Sequence, residues 1–521
     1  MSASGVGQST VRSMLLAELV ETSAAVAATR GRLDKTERLA RCLRKLDVEE
    51  REIGARYLAG ELGHKLGAGY AIAHEVVAAA APAEAAWLTL GEVDRRFAAI
   101  AALRGDGSAR ARKDQLGELL HLATRAEQEF LVGLATGGVR QGALDGIVVE
   151  AIAKAAELPA DAVRRAYMLA GDLGQVAAAA LAGGAAEIGR FGLTVFRPVL
   201  PMLAQTAESI DEALAELAGP VALEHKLDGF RVQLHKDGGE VRAYSRGLND
   251  VTADVPEIVA QIAALPARRL VLDGEAISFG ADGRPLPFQD TMRRRGDRGR
   301  AEPMALALFD ALLVDDHDLL AAPTRDRVAA LTALAPKLVV PQLVTADRDA
   351  ARAFYDAAIA SGHEGVMAKA LDAPYDAGSR GAAWLKIKKV HRLDLVVLAA
   401  EWGSGRRKGW LSNLWLGARD PDAGFVMLGK TFKGMTDEIL AWQTAQLLAR
   451  ETHRDGHVVH VRPELVAEIA FNDVQRSPRY PAKLALRLAR LVRYRGDKTA
   501  AEADTIDAVR AIAIAAGVVR E

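Results

Sequence analysis

The chain changes character twice along its length, and this division constrains its fold more than any other feature. Residues 1–190 are rich in Ala, Leu, Glu and Arg and contain two prolines, Pro82 and Pro159. Apolar residues recur at three- and four-residue spacing in residues 149–158 and 160–170, which is typical of helices with one buried face. The first part of the chain is therefore predicted to be an all-α domain.

Short runs of β-forming residues between turn signals begin at about Phe196. They cover residues 221–227, 231–235, 241–245, 270–278 and 304–314. The sequence Lys-Asp-Gly-Gly at residues 236–239 lies between two of these runs and indicates a hairpin turn. Two intervening segments, residues 254–264 and 325–334, have helical spacing. We therefore predict an α+β domain built on antiparallel sheets over residues 191–390.

The last region, residues 391–521, is again rich in predicted strands. They cover residues 393–399, 414–416, 425–428, 457–461 and 466–471, with one helix-like stretch at residues 437–449. Short strands in this layout favour a small closed β-barrel of the OB type. Since 521 residues are enough for two to four domains, three domains agree with the length.

Composition excludes several classes of protein. The chain has 67 Lys+Arg and 68 Asp+Glu, so its formal net charge of −1 gives no sign of nucleic acid. Cys42 is the single cysteine, which excludes a disulfide framework and a cysteine-rich zinc site and fits a reducing cytoplasm. The uncharged stretch at residues 173–186 is 14 residues long, whereas a bilayer requires about 20. We therefore expect a cytoplasmic protein without zinc and without a membrane span.

The strongest local motif is Glu-His-Lys-Leu-Asp-Gly-Phe-Arg at residues 224–231. Because side chains alternate along a strand, Glu224, Lys226 and Asp228 would share the face opposite His225. A lysine flanked by acids and followed by a Gly turn and an Arg suits a covalent nucleophile, since desolvation or nearby cations would help it lose its proton. Taken alone, the motif fits an exposed charged strand equally well.

Further motifs follow in order along the chain. They are Leu272-Asp273-Gly274-Glu275, Leu308-Phe309-Asp310, Glu364-Gly365-Val366-Met367-Ala368-Lys369 and Trp384-Leu385-Lys386-Ile387-Lys388-Lys389. Lys386 and Lys388 would share one strand face, where they repel each other unless an anion such as phosphate lies between them. Glu275 and Glu364 offer the oxygen ligands that Mg²⁺ prefers.

This ordered set resembles the motifs of covalent nucleotidyltransferases, and most closely those of ATP-dependent DNA ligases of the three-domain bacterial and archaeal type. The resemblance covers almost the whole chain. Tyr57-Leu58-Ala59-Gly60-Glu61 and Val139-Arg140-Gln141-Gly142 are similar to landmarks of that family's helical DNA-binding domain, and Tyr480-Pro481 with residues 490–498 is similar to its last barrel motif. The resemblance implies a helical DNA-binding domain, an adenylation (nucleotidyltransferase) domain and a C-terminal OB-fold domain.

The resemblance also implies roles for individual residues around ATP. Lys226 matches the lysine that becomes adenylated, and Glu224 matches the residue that reads the amino group of adenine. Phe309 matches the aromatic residue that stacks on the base. Arg231 and Arg246 match the arginines around the ribose and phosphate.

The remaining matches concern the metal, the phosphates and domain closure. Glu275 and Glu364 match the metal-associated carboxylates. The matches to late triphosphate and adenylate contacts are Arg380 and Lys386, with Lys388 beside them. The matches to the motif that closes over the nucleotide are Arg490, Arg493, Asp497 and Lys498.

The activity implied is the sealing of 5′-phosphate/3′-hydroxyl nicks in duplex DNA with ATP and Mg²⁺. It runs through a lysyl-AMP intermediate and then a DNA-adenylate. The implied protein is a monomer that binds nicked double-stranded DNA and is associated with the nucleoid. Repair, replication and recombination all remain open as its pathway.

Several other functions compete with this interpretation. RNA ligases and GTP-dependent capping enzymes share the lysine motif, but the helical N-terminal region argues against both. An NAD-dependent ligase is disfavoured because that family carries a four-cysteine zinc site. An inert DNA-binding scaffold is the third alternative. Four intact residues argue against it: Lys226, Glu275, Glu364 and Lys386.

Two other patterns are interpreted as structural. Residues 424–431 match the P-loop pattern, but Phe, Val, Met and Leu at its variable positions favour a strand of a hairpin. His453, His457 and His460 are predicted to be solvated rather than metal-bound. By contrast, the cationic clusters at residues 293–300, 406–408 and 476–498 are expected to follow the DNA backbone.

Overall fold

The fold is described from a computed structural model of the chain. The description covers residues 13–64, 66, 70–139, 145–280, 283–286, 289–292, 304–376 and 383–519. Within these ranges, no helix combines the length and the apolar character needed to cross a membrane. Arg380, the cationic cluster at residues 293–300 and residues 140–142 of one landmark motif lie outside the described residues.

The N-terminal region is helical, as predicted. Its helices are α1 (Leu16–Ala28), α2 (Arg32–Arg44), α3 (Arg51–Ala59), α4 (Tyr70–Ala79), α5 (Leu90–Ala102), α6 (Ser108–His121), α7 (Arg125–Thr136), α8 (Asp145–Ala155), α9 (Ala160–Ala170) and α10 (Leu173–Ile188). Helix α7 begins with a capping box, in which Thr124 and Glu127 each bond the other's backbone N–H. The apolar faces of the helices form one core that contains Leu39, Leu58 and Phe97.

The middle region is α+β, also as predicted. Its elements are β1 (Gln205–Ala207), α11 (Ile210–Leu217), β2 (Val221–Lys226), β3 (Phe230–Asp237), β4 (Glu240–Ser245), α12 (Pro256–Ala263), β5 (Arg269–Ile277), β6 (Ala305–Val314), β7 (His317–Asp318), α13 (Thr324–Leu334), β8 (Gln342–Thr345), α14 (Arg348–Ala360), β9 (Gly365–Ala370) and β10 (Trp384–Lys388). One sheet has the order β1-β10-β9-β2-β8 and the other β4-β3-β5-β6-β7. Neighbouring strands are antiparallel except β1 and β10. The predicted hairpin is confirmed, since Asp237 pairs with Glu240 across Gly238 and Gly239.

Alternation along β2 determines where the charged residues of the first motif lie. Val221 and Leu223 pack with Ala351 and Ala358 of α14 in an apolar core on one face of the sheet. Glu224 and Lys226 point to the opposite face, into a cavity. The predicted division of side chains is therefore confirmed for these residues of β2, whereas Asp228 lies beyond the end of the strand at Lys226.

The segment that connects the helical and middle regions is held by buried side chains of β3. The Gln233 amide accepts from the backbone N–H of Val199 at 2.8 Å and donates to its carbonyl at 3.1 Å. The His235 ring, fully buried, accepts at Nδ1 from the backbone N–H of Phe196 at 2.9 Å. This segment continues into Met202, which lines the cavity.

The burial of His235 leads us to predict that the stability of the fold depends on pH. Burial lowers the pKa of His235 to about 3. The unfolded imidazole binds a proton below about pH 6.5 while the folded one does not, so stability falls as the pH drops from 6.5 towards 3. From this residue alone, the free energy of unfolding is expected to be about 2 kcal/mol lower at pH 5 than at pH 8.

Urea unfolding from pH 5 to pH 8 measures this effect. His235→Asn keeps an acceptor near Nδ1 but cannot bind the proton, so its stability should depend less on pH. The control is His457→Asn, because the His457 side chain is 72% exposed. Equal pH dependence in the wild type and the His235→Asn variant would contradict the assignment.

The C-terminal region is strand-rich, as predicted. Its elements are β11 (His391–Trp402), β12 (Leu411–Asp420), β13 (Gly424–Thr431), α15 (Asp437–Leu448), β14 (Glu451–Asp455), β15 (Val458–Val461), β16 (Val466–Phe471), β17 (Asp473–Arg476), β18 (Leu484–Arg487), β19 (Arg490–Tyr494) and α16 (Ile506–Ala515). The P-loop-like residues form β13, which confirms that they are a strand. His453 and His460 stack at 4.3 Å between ring centroids, and the described residues contain no group of three metal-ligating side chains.

The closed barrel is not confirmed, because this sheet is an open half-barrel. The strand order is β13-β12-β11-β15-β14, and β16 pairs with β11 and β19. Within the described ranges, no ladder joins β13 to β19. The chain leaves β13 at Thr431, and the gap is bridged by Thr431 Oγ1 donating to the Ala489 carbonyl and by Leu491 N–H donating to the Lys433 carbonyl. Strands β17 and β18 form a separate ribbon.

Candidate active site

A cavity of about 470 Å³ lies between the two sheets of the middle region. Strands β2, β9 and β10 supply one wall, and β3, β5 and β6 supply the other. Among the predicted site residues, the lining includes Glu224, Lys226, Arg231, Arg246, Glu275, Phe309, Glu364, Lys386 and Lys388. The structure therefore brings eight residues from five separate motifs, together with Arg246, into one cavity, whose size is typical of ligand sites.

At the mouth of the cavity one carboxylate lies between two lysines. Glu364 Oε2 is 2.9 Å from Lys226 Nζ, and Glu364 Oε1 accepts a hydrogen bond from Lys388 Nζ. Burial would raise the pKa of Glu364, but the two ammonium groups outweigh burial and lower it. Burial and the charge of Lys226 lower the pKa of Lys388. The arrangement concentrates positive charge where a phosphate would enter.

Gly365 makes this arrangement possible. It pairs with both Lys226 and Lys388 across the sheet. Its φ is +149°, and a Cβ there would lie 2.0 Å from the carbonyl oxygen of Ile387. Only glycine therefore allows β9 to pass so close to β10 at this point.

A second carboxylate lies on the other wall. Glu275 Oε1 accepts from the backbone N–H of Gly229 at 3.2 Å. Burial raises the pKa of Glu275 to about 7, although Lys226 and Arg231 oppose the shift. The two nearby cations therefore do not fully offset the effect of burial on the Glu275 carboxylate. Glu275 and Glu364 fit Mg²⁺, which is held by one or two carboxylates with waters and substrate phosphates rather than by a full protein cage.

Arg231 is held by the protein itself. Its guanidinium pairs with Asp273, with Nε 3.0 Å from Oδ1, and donates to the Met202 carbonyl at 2.7 Å. The buried Tyr375 hydroxyl donates to Asp273 at 2.9 Å and accepts from the Met202 N–H at 3.0 Å. The Arg231 guanidinium lies 5.3 Å from the centroid of the Phe309 ring. These contacts fix one wall of the cavity beneath an aromatic ring.

The inner end of the cavity is aromatic and contains a buried ion pair. The rings of Phe309 and Trp384 meet edge to face at 6.1 Å between centroids. Glu224 Oε2 lies 2.6 Å from Lys369 Nζ. A flat ring with a polar edge fits this end, and charged phosphates fit the lysine-rich mouth.

The predicted closure residues do not line the cavity. Arg493 pairs with Glu468, Lys498 with Asp394 and Asp497 with Arg495, all within the C-terminal region. Arg490 is exposed on β19. Arg487 reaches the cavity instead and forms an ion pair with Asp228. In this arrangement of the chain, the arginine of the cluster at residues 476–498 that contacts the first motif is thus Arg487, through Asp228.

Among the cavity residues that were not predicted from the sequence, three charged or aromatic ones differ in the reason. Lys369 ends the motif at residues 364–369, and alternation along β9 places it on the cavity face with Met367, so strand parity could have found it. Trp384 begins the last lysine motif and shares the parity of Lys386. Arg487 gave no distinguishing signal, because its position depends on how the C-terminal region packs against Asp228.

The other predicted features have mostly structural contacts. Tyr57 is fully buried in the helical core, and Gly60 ends α3 with a φ of +76°. In the cluster at residues 406–408, Arg406 pairs with Asp437 at 2.7 Å. In the cluster at residues 476–498, Arg476 pairs with Asp290 of the middle region at 2.5 Å.

Comparison with known proteins gives matches over three segments. Residues 201–388 match the family model "ATP dependent DNA ligase domain". Residues 407–498 match "ATP dependent DNA ligase C terminal region", and residues 65–153 match "DNA ligase N terminus". The segment with the cavity is therefore matched almost from its first strand to its last.

Similar chains extend over nearly the full length. A protein of Anaeromyxobacter sp. (strain Fw109-5) named "Probable DNA ligase" is 57% identical over 509 residues, which are 96% of this chain and 98% of that protein. A "Probable DNA ligase" of Beutenbergia cavernae is 54% identical over 96% of this chain and 100% of that protein. The solved structure "Pmar-Lig_PreS3" shares the fold, with a TM-score of 0.62 and 18% identity over 92% of this chain and 99% of that one.

Proposed function

This chain belongs to the family of ATP-dependent DNA ligases, and from that premise we propose that Lys226 is the residue that receives AMP. The observation that carries the proposal is the position of Lys226 in the cavity, where its Nζ lies 2.9 Å from Glu364 Oε2. The contact fixes the amine at the cationic mouth, opposite the aromatic end that suits a base. ATP lying along the cavity would therefore present its phosphates to Lys226.

In the first step Lys226 Nζ attacks the α-phosphorus of ATP. The ammonium group first gives up a proton to solvent and so becomes the nucleophile. An N–P bond then forms while the P–O bond to pyrophosphate breaks, pyrophosphate leaves with the bonding electrons, and the nitrogen releases a second proton to solvent. Lys386 and Lys388 line the cavity from one face of β10. Their positive charges would stabilise the negative charge that builds on the phosphates of ATP. Phe309 and Glu224 hold the base, so attacker and leaving group are kept in line.

Mg²⁺ is the usual metal of this family, and Glu275 and Glu364 are the residues proposed to hold it. They line opposite walls of the cavity, and Glu364 contacts Lys226. The chemistry that the ion supplies in such a site is neutralisation of charge on phosphoryl oxygens. A nearby cation would also keep Glu275 ionised against the burial that raises its pKa.

The two later steps use the nicked duplex. The 5′-phosphate takes AMP from Lys226, and the 3′-hydroxyl then attacks the activated phosphate while AMP departs. We propose that the C-terminal region changes position between these steps, and that Arg490, Arg493, Asp497 and Lys498 approach the nucleotide only during adenylation. The contact between Arg487 and Asp228 supports a second arrangement, in which another part of the region lies at the cavity.

We also propose three domains, with boundaries at residues 1–190, 191–390 and 391–521. Apolar clusters within each range support this division, although one cluster around Met168 and Met202 crosses the first boundary. The last domain is proposed to be an OB-type fold whose barrel is open in this arrangement. We further propose that the protein is a monomer. We also propose that it is cytoplasmic and associated with the nucleoid, because its DNA substrate lies there in a bacterium.

The proposed function predicts a nucleotide requirement. Incubation of the protein with a singly nicked duplex, ATP and Mg²⁺ should give a full-length strand on a denaturing gel. NAD⁺ in place of ATP should give no product, since a single cysteine cannot form the zinc site of the NAD-dependent enzymes. Product with NAD⁺ alone, or covalent labelling by GTP and not by ATP, would contradict the proposal.

A further inference from the structure

At the inner end of the cavity Glu224 and Lys369 are part of the lining, and Gln342 contacts Glu224 from the neighbouring strand β8. These three residues are here called the Glu224 clamp. Glu224 is 2% exposed and Lys369 is 1% exposed. Lys369 Nζ lies 2.6 Å from Glu224 Oε2. Gln342 Nε2 donates to Glu224 Oε1 at 2.9 Å. Each oxygen of the carboxylate is therefore held by a different side chain.

Sheet register explains why the clamp forms. Strand β2 lies between β8 and β9. Gln342 is the direct partner of Glu224 on β8. Lys369, on β9, pairs with Ala222 of β2. Ala222 lies two residues before Glu224, on the same face of β2. The two neighbouring strands thus reach the carboxylate from both sides, which restricts its orientation.

The clamp also favours the charged form of Glu224. Burial raises the pKa of Glu224, and Lys369 and Gln342 both oppose that shift. Without its partners, a carboxyl group at this depth would become neutral and donate a hydrogen bond instead of accepting one. The two partners therefore favour a pure acceptor at this place.

Lys369 links the clamp to the aromatic walls. Its Nζ donates to the backbone carbonyl of Phe309 at 2.9 Å and lies 4.4 Å from the centroid of the Trp384 ring. Trp384 Nε1 is a buried donor that has no partner among the described residues. A base in this end would thus meet the acceptor Glu224 beside the rings of Phe309 and Trp384.

We propose that Gln342 and Lys369 are positioning residues that keep Glu224 an ionised acceptor and thereby select 6-aminopurine nucleotides over 6-oxopurine nucleotides. An amino group at position 6 donates to the carboxylate. A carbonyl oxygen at position 6 is an acceptor, as is the Glu224 carboxylate, so no hydrogen bond forms between them. The buried carboxylate then lacks a donor from the base, and polar sites reject close analogues in this way. The inference rests on the proposed function, since it assumes that the base of ATP occupies this end of the cavity.

The test compares ATP with inosine triphosphate, which differs at position 6. The rate of covalent enzyme–nucleotide formation is measured over a range of each nucleotide for the wild type and for Gln342→Leu. The variant should lower the ratio of kcat/KM for ATP to that for inosine triphosphate by about 10-fold, as expected for one hydrogen bond to a charged group. Most of the loss should be a higher KM for ATP, with kcat changed less.

Two further measurements separate positioning from a general structural effect. In Gln342→Leu the selectivity for ATP should recover as the pH rises, because a less supported Glu224 ionises at higher pH. Lys369→Met should lower the selectivity further, towards equal use of the two nucleotides. Val344→Thr is the matched control, because Val344 is exposed on the same strand and should leave the ratio unchanged.

The possible outcomes are distinct. An unchanged ratio of kcat/KM in Gln342→Leu, with or without an equal loss for ATP and inosine triphosphate, would overturn the inference. It would not contradict the proposed ligase function. Failure of the wild type to form any adduct with ATP would instead refute the proposed function. If Lys369→Met does not fold, the pH profile of Gln342→Leu still decides the question.

Discussion

Replacement of Lys226 by alanine is expected to abolish the covalent enzyme–AMP adduct and, with it, nick sealing by ATP. The expected loss is on the order of 10⁴-fold or more, because the nucleophile forms the bond that splits the reaction into steps. Lys226→Arg should lose activity to the same extent, since it keeps the positive charge but not the nucleophilic amine. The measurement is transfer of radiolabel from the α-phosphate of ATP to the protein.

Two controls make this prediction specific. Lys337→Ala removes an exposed lysine of the same region and should leave adduct formation unchanged. A nick that already carries AMP on its 5′-phosphate should still be sealed by Lys226→Ala at a substantial rate, because that step needs no attack by the lysine. Retention of the adduct in Lys226→Ala would contradict the assignment of the nucleophile.

Replacement of Glu364 by glutamine is expected to have the second largest effect. Glu364 is 13% exposed and lies between the amines of Lys226 and Lys388. Glutamine has the same shape but no charge, so the two lysines lose the anion that separates them. A broken buried ion pair costs about 3–5 kcal/mol. If that cost appears in the barrier to adduct formation, the rate falls by roughly 10²-fold to several 10³-fold.

The measurement is single-turnover adduct formation at increasing Mg²⁺ concentrations. Because Glu364 is proposed to hold the metal, the Mg²⁺ concentration for half-maximal rate should also rise in Glu364→Gln. Glu240→Gln is the control, since Glu240 is 53% exposed on the β3–β4 hairpin. A Glu364→Gln variant with a normal rate and normal Mg²⁺ dependence would refute both roles.

Features that depend on local periodicity were predictable from the sequence. Alternation placed Lys226 and Glu224 on one face of β2, and it placed Lys386 and Lys388 together on β10. The hairpin at Gly238 and the strand at residues 424–431 also follow from turn chemistry and β propensity. These features require only the residues within one element.

Features that depend on packing between distant segments were not predictable. Gln342 lies 118 residues from Glu224, outside any motif, and only the pairing of β8 with β2 brings them together. Arg487 lies 259 residues from Asp228, and nothing in its cluster of arginines distinguishes it. The predicted closure of the barrel is not confirmed, because closure depends on whether β13 meets β19 and not on strand propensity.

The assignment of Lys226 is the central claim, and peptide mapping tests it most directly. The wild-type protein is incubated with ATP and Mg²⁺, digested, and analysed by mass spectrometry for the peptide that carries AMP. We predict AMP on Lys226 and on no other lysine of the cavity. AMP on Lys369, Lys386 or Lys388, or a labelled protein whose Lys226 peptide is unmodified, would contradict the account.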